Sequence, residues 1–212
     1  PFKEVKFLKE PEGKDRILTP EEEARLIAYV RSKAKSRHLE AIIVTALNTG
    51  MRKGEILRLR WENVDFKNGH IVVVETKNGE IRNIPMNKRL TTILKSVKDK
   101  APSSAYVFCR DGKPYGDVKT GWWKALKESG IENFRFHDMR HTFGSRLGMA
   151  GVDIKTIQEL MGHKDIKMTM RYSHPTPEHK KKAVEILEST HTNFHTTGKK
   201  EKTAKLVSIG KH

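Results

Sequence analysis

The sequence offers little for disulfide bonding and nothing for crossing a membrane. Its single cysteine, Cys109, cannot form a disulfide within the chain, which fits a reducing compartment. No apolar run approaches the roughly 20 residues that a bilayer-spanning helix needs, and we identify no signal peptide before the first predicted helix. The sequence therefore argues against a membrane protein and against a secreted protein held together by disulfides.

Acidic residues are scarce relative to basic ones. The chain has 26 Asp and Glu residues against 42 Lys and Arg, which gives a formal charge of +16 and a pI near 9.9. An excess of this size points to a polyanionic partner, and nucleic acid is favoured over a membrane surface. The 212 residues suffice for one large domain or two small ones. The chain begins at Pro1 with no initiator Met, which leaves room for a further domain before it.

Helix signals dominate the chain. Thr19-Pro20-Glu21-Glu22 has the form of a capping box, and the apolar segment from Leu39 to Leu47 predicts a buried helix that stops at Asn48-Thr49-Gly50. Trp122 and Trp123 are interpreted as packing residues and not as base-stacking groups. Further helices are predicted over about residues 88–99, around Trp122 to Leu126, from Ile154 to Met161 with Gly162 as the closing residue, and over residues 166–171 and 178–189.

One region changes to strand periodicity. Ile71 to Glu75 and Glu80 to Ile84 are short β-rich runs joined by Thr76-Lys77-Asn78-Gly79, and Asn-Gly is a strong hairpin signal. Lys77 is therefore expected at the tip of a hairpin, and a third run from Ala105 to Cys109 is expected to add an edge strand. The predicted fold is α+β, mainly α, with a small antiparallel β-sheet.

The segment His137-Asp138-Met139-Arg140-His141-Thr142-Phe143-Gly144 carries the densest set of reactive groups. At about 100° per residue, His137, Arg140, His141 and Gly144 fall on one helical face, opposite an apolar face. Arginine offers a rigid fork of donors that matches phosphate oxygens, and Gly144 leaves room for a ligand. The alternative is a helix with a solvated basic face.

A second basic group follows the stop at Gly50. Thr49 is a candidate N-cap for a new helix, which would place Arg52 in the first turn, where free backbone N–H groups and the helix dipole favour an anion. Glu55, three residues later, is placed to hold the Arg52 side chain. The alternative is an ordinary surface Arg–Glu pair worth about 0.2–0.5 kcal/mol.

His137 and His141 also have the i, i+4 spacing of paired zinc ligands on a helix. We reject a zinc site because position 138 is Asp where the metalloprotease motif requires Glu. Arg140 would also place a fixed positive charge beside the metal. We therefore expect no metal and no cofactor.

Five motifs occur in order along the chain: Thr-Gly-Met-Arg-x-Gly-Glu at 49–55, Thr-Lys-Asn-Gly at 76–79, His-Asp-Met-Arg-His-Thr-Phe at 137–143, Leu-Met-Gly-His at 160–163 and Met-Arg-Tyr-Ser-His at 170–174. Together they resemble the motifs of the tyrosine recombinase (phage integrase) family. The resemblance runs from about Leu18 to about Leu187, and it implies a helical catalytic domain over residues 19–190, between a lead-in of residues 1–18 and a polar tail of residues 191–212. Gly144 stands where the family often has Ala, and the family's amino-terminal core-binding domain has no counterpart in the sequence.

The resemblance implies a transesterification through a tyrosine. Tyr172 would be the nucleophile that forms a 3′-phosphotyrosine, and His137 would act as its general base or would hydrogen-bond the phosphate. Lys77 would be the general acid that protonates the departing 5′ hydroxyl.

The resemblance also implies a phosphate clamp that does the electrostatic work without a metal ion. Arg52 and Arg140 would bind the non-bridging oxygens of the scissile phosphate, and His163 would donate to one of them. Glu55 and His141 would support this arrangement, His141 through a structural hydrogen bond.

Function and partners follow from the same resemblance. It implies a site-specific recombinase that acts on double-stranded DNA during integration or excision, in the cytoplasm of a prokaryotic host. The protein would be a monomer in solution and a tetramer on DNA, linked through the helix after Tyr172, with accessory DNA-bending proteins as further partners.

Two alternatives to recombination are a type IB topoisomerase-like DNA-relaxing enzyme and a non-catalytic DNA-binding accessory protein. Compact motifs and a short chain favour recombination over relaxation. The full set of reactive residues, with a hairpin lysine and an exposed tyrosine, argues against a pure binding protein.

Overall fold

The structure is a computed structural model that describes residues 16–33, 37–74, 81–100, 104–173, 177 and 180–187. Within these ranges the chain is mainly helical with small antiparallel sheets, which confirms the predicted fold class. The helices are α1 (Pro20–Ser32), α2 (Arg37–Thr49), α3 (Lys53–Leu57), α4 (Lys88–Lys100), α5 (Lys119–Glu128), α6 (Asp138–Met149), α7 (Ile154–Met161) and α8 (Lys167–Met170). The strands are β1 (Val64–Asp65), β2 (His70–Val74), β3 (Ile81–Pro85), β4 (Cys109–Arg110) and β5 (Lys113–Pro114).

The first helix begins as its sequence predicts. Thr19 accepts a hydrogen bond from the backbone N–H of Glu22 at 3.2 Å, and the Glu22 carboxylate accepts one from the backbone N–H of Thr19 at 3.1 Å. Just before this cap, Leu18 is buried, and its backbone N–H donates to Thr142 Oγ1 of α6 at 3.0 Å. The start of α1 is therefore fastened to the helix that carries the candidate site.

The predicted buried helix is α2, and it lies at the centre of the main core. Its residues 39–47 are buried, and it packs against α1, α3, α4 and α6. It ends at Thr49 because Gly50 adopts a positive φ of 61°. The prediction of Thr49 as the N-cap of the next helix is wrong, since Thr49 is the last residue of α2 and Arg52 takes the N-cap position of α3.

The hairpin prediction is confirmed over its two strands. β2 and β3 pair antiparallel with Ile71 opposite Ile84 and Val73 opposite Arg82, and β1 adds a third strand on the other side of β2. The turn of residues 75–80, with Lys77, lies outside the described residues.

The predicted edge strand from Ala105 to Cys109 does not join this sheet. Instead β4, which begins at Cys109, pairs with β5 in a separate two-stranded ladder. Tyr106 contributes only an isolated bridge to Arg60. A short apolar run cannot specify its pairing partner, which explains the error.

The described residues of the unit Pro1–Ser173 form two clusters of buried apolar side chains. The larger cluster includes residues of α1, α2, α4, α5 and the hairpin strands. Trp122 belongs to it, which confirms that Trp122 is a packing residue, whereas Trp123 is half exposed and the same prediction is wrong for it. The smaller cluster consists of Phe143, Ile157, Met161 and Tyr172, from α6, α7 and the turn after α8.

The unit His174–His212 is described only over residues 177 and 180–187. Residues 180–187 are helical, within the range that the sequence predicts, and Val184, Ile186 and Leu187 are exposed. Among all the described residues, no helix is long and apolar enough to cross a membrane.

Candidate active site

The C-terminal end of α7 is where the functional side chains meet. Gly162 ends this helix in the left-handed conformation, with φ 64° and ψ 49°, as the sequence predicts for a closing glycine. The turn leaves the carbonyl oxygens of Met161 and Gly162 available as acceptors, and His163 follows directly. Guanidinium groups from three other elements bind these two carbonyls.

Arg140 of α6 is the most buried of the three. Only 4% of its surface is exposed to solvent, and its two terminal nitrogens donate to the carbonyls of Gly50 and Met161. Burial, with Arg52 and Arg82 nearby, lowers the pKa of Arg140 to about 10, so it remains protonated at neutral pH. The alternative of a solvated basic face on this helix is therefore wrong.

Arg52 and Glu55 form the predicted pair. Arg52 Nη1 lies 3.0 Å from Glu55 Oε1, the backbone N–H of Arg52 donates to Glu55 Oε2 at 2.8 Å, and Arg52 Nη2 donates to the Gly162 carbonyl at 3.3 Å. The Arg52 side chain is 40% exposed, so it can still meet a ligand from solvent. The pair belongs to the site and is more than an isolated surface ion pair.

Arg82 of β3 is a site residue that the sequence reasoning missed. Its Nη2 donates to Glu55 Oε2 at 2.8 Å, its Nη1 donates to the Met161 carbonyl at 3.1 Å, and its side chain is only 11% exposed. A Cβ on Gly162 would lie 1.9 Å from Arg82 Nη1, so the glycine also makes room for this contact. The available signal was that Arg82 shares the inward face of β3 with buried Ile84.

Positive charge exceeds negative charge at this end of α7. Burial by itself would raise the pKa of the Glu55 carboxyl, but Arg82 and Arg52 together hold it below its usual range. One carboxylate thus faces the guanidinium groups of Arg52 and Arg82, and Arg140 adds a third positive charge. Such a cluster favours an anion, and guanidinium groups match phosphate oxygens in geometry.

His163 is held by its neighbours through both backbone and ring. Gln158 Nε2 donates to the His163 carbonyl at 2.9 Å, and His163 Nδ1 lies 2.9 Å from the Thr169 hydroxyl. Burial and the nearby arginines, Arg140 first, lower the pKa of His163 to about 4. Its ring is therefore neutral at pH 7 and carries a single N–H.

Tyr172 is buried, which corrects the expectation of an exposed tyrosine. It is only 2% exposed, its hydroxyl lies 2.8 Å from His141 Nδ1, and its ring is stacked near that of His163, with 6.4 Å between centroids. The space that Gly144 leaves is filled by this ring, since a Cβ there would lie 2.8 Å from Tyr172 Cε2. Gly144 therefore serves the tyrosine and not a ligand. The expected structural hydrogen bond of His141 is present.

His137 lies at the exposed start of α6, beside His141. The two rings are 5.0 Å apart in an edge-on arrangement. Partial desolvation, then His141 and Arg140, lower the pKa of His137, so this ring too is neutral at pH 7. Lys77, the remaining predicted site residue, lies outside the described residues. Within the described ranges, no group of His, Cys, Asp and Glu side chains is arranged to hold a metal ion.

The sequence model of the phage integrase family matches residues 16–179, which include every described residue of this site. The chain belongs to the phage integrase family. It is 35% identical over 175 residues to a shufflon-specific DNA recombinase of Escherichia coli, covering 82% of this chain and 44% of the relative. It is 34% identical over 190 residues to the integrase of Salmonella phage P22, covering 82% and 48%. The chain thus spans about half the length of these two curated relatives.

Solved structures of the family have the same fold. The Tn1549 transposon integrase, in complex with circular intermediate DNA, matches with a TM-score of 0.71 and 25% identity, covering 85% of this chain and 69% of that one.

Proposed function

We propose that the protein is a site-specific DNA recombinase that cleaves and rejoins duplex DNA through a covalent 3′-phosphotyrosine at Tyr172. The observation that carries the proposal is the convergence of Arg52, Arg140 and His163 on the C-terminal end of α7. The Tyr172 hydroxyl lies close by, hydrogen-bonded to His141, the residue after Arg140. Phosphate-binding donors and an oxygen nucleophile in one site are what phosphoryl transfer requires.

The scissile phosphate would bind to the arginines. Arg52 and Arg140 would contact its non-bridging oxygens, and the single negative charge of a phosphodiester would partly balance the excess of guanidinium groups. The neutral His163 would donate its one N–H to another oxygen. Since these donors are already anchored to backbone carbonyls, they stabilise charge in the transition state without reorganising.

The reaction would then be a balanced exchange of two phosphoester bonds. Tyr172 loses its hydroxyl proton to His137, whose ring is neutral, and its oxygen attacks phosphorus. Generating the phenolate at pH 7 costs about 4 kcal/mol when no base or cation assists, because the ordinary pKa is about 10. The P–O bond to the 5′ oxygen breaks, and Lys77 would protonate that oxygen. Attack by another strand's 5′ hydroxyl reverses these steps.

Tyr172 must leave its buried position before it attacks. The His141 hydrogen bond and the small apolar cluster hold it in the free protein. Exposing a side chain of this size costs on the order of 2 kcal/mol, which DNA binding would offset. We therefore assign the described arrangement to the resting state, with His141 as the group that holds the hydroxyl.

The test is a search for a covalent protein–DNA adduct. The protein is mixed with a pool of nicked duplexes in EDTA and quenched in SDS. We expect an adduct with the native protein, none with Tyr172→Phe, and an undiminished yield with the control Tyr115→Phe. An adduct that persists in Tyr172→Phe would overturn the assignment of the nucleophile.

A DNA-binding protein without chemistry is the second candidate, and the burial of Tyr172 is the observation that favours it. Under this alternative, no adduct forms with any duplex, and Tyr172→Phe leaves DNA affinity unchanged.

Assembly on DNA is the remaining part of the proposal. Double-stranded DNA would be the partner, in the cytoplasm of a prokaryotic host, with accessory DNA-bending proteins, and four protomers would join two DNA sites. The helix of residues 180–187 exposes Val184, which suits docking onto a neighbouring protomer. We expect truncation after Ser173 to reduce the mass of the DNA complex in light scattering. An unchanged mass would contradict this role.

A further inference from the structure

Thr169 is buried beside the ring of His163, and it lies outside every motif that the sequence analysis singled out. It sits in the last turn of α8 with no exposed surface, and its hydroxyl oxygen is 2.9 Å from His163 Nδ1. Its carbonyl accepts a hydrogen bond from the backbone N–H of Tyr172, also at 2.9 Å. One threonine thus links the orientation of His163 to the backbone of Tyr172.

The hydrogen-bonding requirements of these groups decide which ring nitrogen carries the proton. If Nδ1 donated to the threonine oxygen, the hydroxyl hydrogen of Thr169 would need a different acceptor. Among the described residues, the Thr169 hydroxyl makes no other hydrogen bond. A buried donor without an acceptor costs about 1–3 kcal/mol, so the arrangement in which Thr169 donates to Nδ1 is favoured.

We infer that Thr169 is a positioning residue that donates its hydroxyl hydrogen to His163 Nδ1 and so fixes the tautomer with the proton on Nε2. Since the ring is neutral at pH 7, Nε2–H is then its one donor. This consequence rests on the proposed function, in which His163 donates to a phosphate oxygen. The tautomer itself is independent of that function.

The test reads the tautomer directly, by NMR of the full chain with 15N-labelled histidine at pH 7. Substituting His163→Asn identifies the His163 signals among those of the ten histidines. In the native protein we expect a protonated Nε2 and an unprotonated Nδ1 that shows the upfield shift given by an accepted hydrogen bond. A protonated Nδ1 in the native protein would overturn the inference.

Two variants separate the hydroxyl from the packing of the side chain. Thr169→Ser keeps the hydroxyl, so its Nδ1 signal should remain where the native signal lies. Thr169→Val removes the hydroxyl at nearly constant volume, so Nδ1 should move downfield. The control is Thr45→Val, which removes another fully buried threonine hydroxyl, one that bonds to Ala41 in α2. This control should leave His163 unchanged. A Thr169→Val spectrum identical to that of the native protein would also overturn the inference.

A second measurement connects the tautomer to the reaction. Inorganic phosphate should shift the Nε2 signal of His163 in the native protein and in Thr169→Ser, and the shift should be lost in Thr169→Val. Adduct formation should fall by roughly tenfold to a hundredfold in Thr169→Val, the range typical of groups that orient a functional histidine. If the tautomer is as inferred but phosphate causes no shift in the native protein, the positioning role of Thr169 stands and the proposed phosphate contact of His163 fails.

Discussion

The residues proposed to bind the phosphate and the proposed nucleophile lie in two very different regions of the molecule. Arg140 donates to the carbonyl of Gly50, which directly follows α2, the helix whose residues 39–47 are buried in the larger cluster. Tyr172 belongs to a cluster of only four buried apolar residues. Arg140 is therefore supported by the larger cluster, while Tyr172 packs in the smaller one, whose opening would expose less apolar surface. Under the proposed function, this difference suits a tyrosine that stays buried until DNA binds.

The largest expected effect comes from replacing Arg140. Arg140→Gln deletes the charge that the proposed mechanism places against the phosphate, and it removes the bonds to the carbonyls of Gly50 and Met161. We expect adduct formation to fall by about a hundredfold to a thousandfold, the usual cost of losing a transition-state donor. Arg31→Gln, which removes an exposed arginine paired with Glu40, is the control. Equal losses in the two variants would show that overall charge, and not this position, is what matters.

Breaking the small cluster alone should have a smaller effect. A Cβ on Gly148 of α6 would lie 2.1 Å from the carbonyl oxygen of Tyr172, a backbone atom that cannot turn away. We expect Gly148→Ala to lower the free energy of unfolding by about 1–3 kcal/mol. Gly121→Ala in α5, where the new Cβ would meet only Leu39 at 3.8 Å, should instead gain up to about 1 kcal/mol. Urea unfolding of both variants decides the comparison.

His163 lies where the two regions meet, and its titration gives a pH-dependent effect. Its pKa is about 4 in the folded protein, below the ordinary value of 6.5. As the pH falls from about 6.5 to about 4, His163 therefore becomes protonated in the unfolded chain while it stays neutral in the folded protein. The free energy of unfolding should fall over that pH range, and it should fall less in His163→Gln than in the native protein. Equal pH slopes for the two proteins, measured by urea unfolding, would contradict the shifted pKa.

The smallest effect on stability is expected from Gly144→Ala, which crowds the side chains of Tyr172 and Met161. The new Cβ would crowd Tyr172 Cε2 at 2.8 Å and Met161 Sδ at 2.9 Å, but both belong to side chains that can move. The gain in helix propensity, about 1 kcal/mol, offsets the strain, so we expect a net change below about 1 kcal/mol. Tyr172 should become easier to nitrate with tetranitromethane. An unchanged nitration rate would show that the glycine does not control the burial of the tyrosine.

The sequence predicted those parts of the site that depend on local spacing. Arg52 and Glu55 meet because they are three positions apart at a helix start, and Gly162 ends α7 because glycine adopts a positive φ readily. The capping box of α1 and the two hairpin strands are also local features, and they too were correctly predicted.

What the sequence did not reveal depends on tertiary contacts. Arg82 joins the site only because β3 packs beside the end of α7, and a single inward-facing arginine in a short strand is a weak signal. The burial of Tyr172 depends on the space over Gly144 and Gly148, which neither helical periodicity nor the motif around the tyrosine encodes. The wrong prediction that the run ending at Cys109 joins the hairpin sheet has a similar cause, since strand pairing depends on contacts between segments that are distant in sequence.

The measurement that tests the central account most directly is to identify the residue that carries DNA in the covalent adduct. The adduct is digested with nuclease and protease, and the modified peptide is sequenced by mass spectrometry. We predict a deoxynucleoside 3′-phosphate on Tyr172 and on none of the other three tyrosines, Tyr29, Tyr106 and Tyr115. A nucleotide attached to any other residue would contradict the assignment of the nucleophile. A nucleotide attached through its 5′ phosphate would contradict the direction of cleavage.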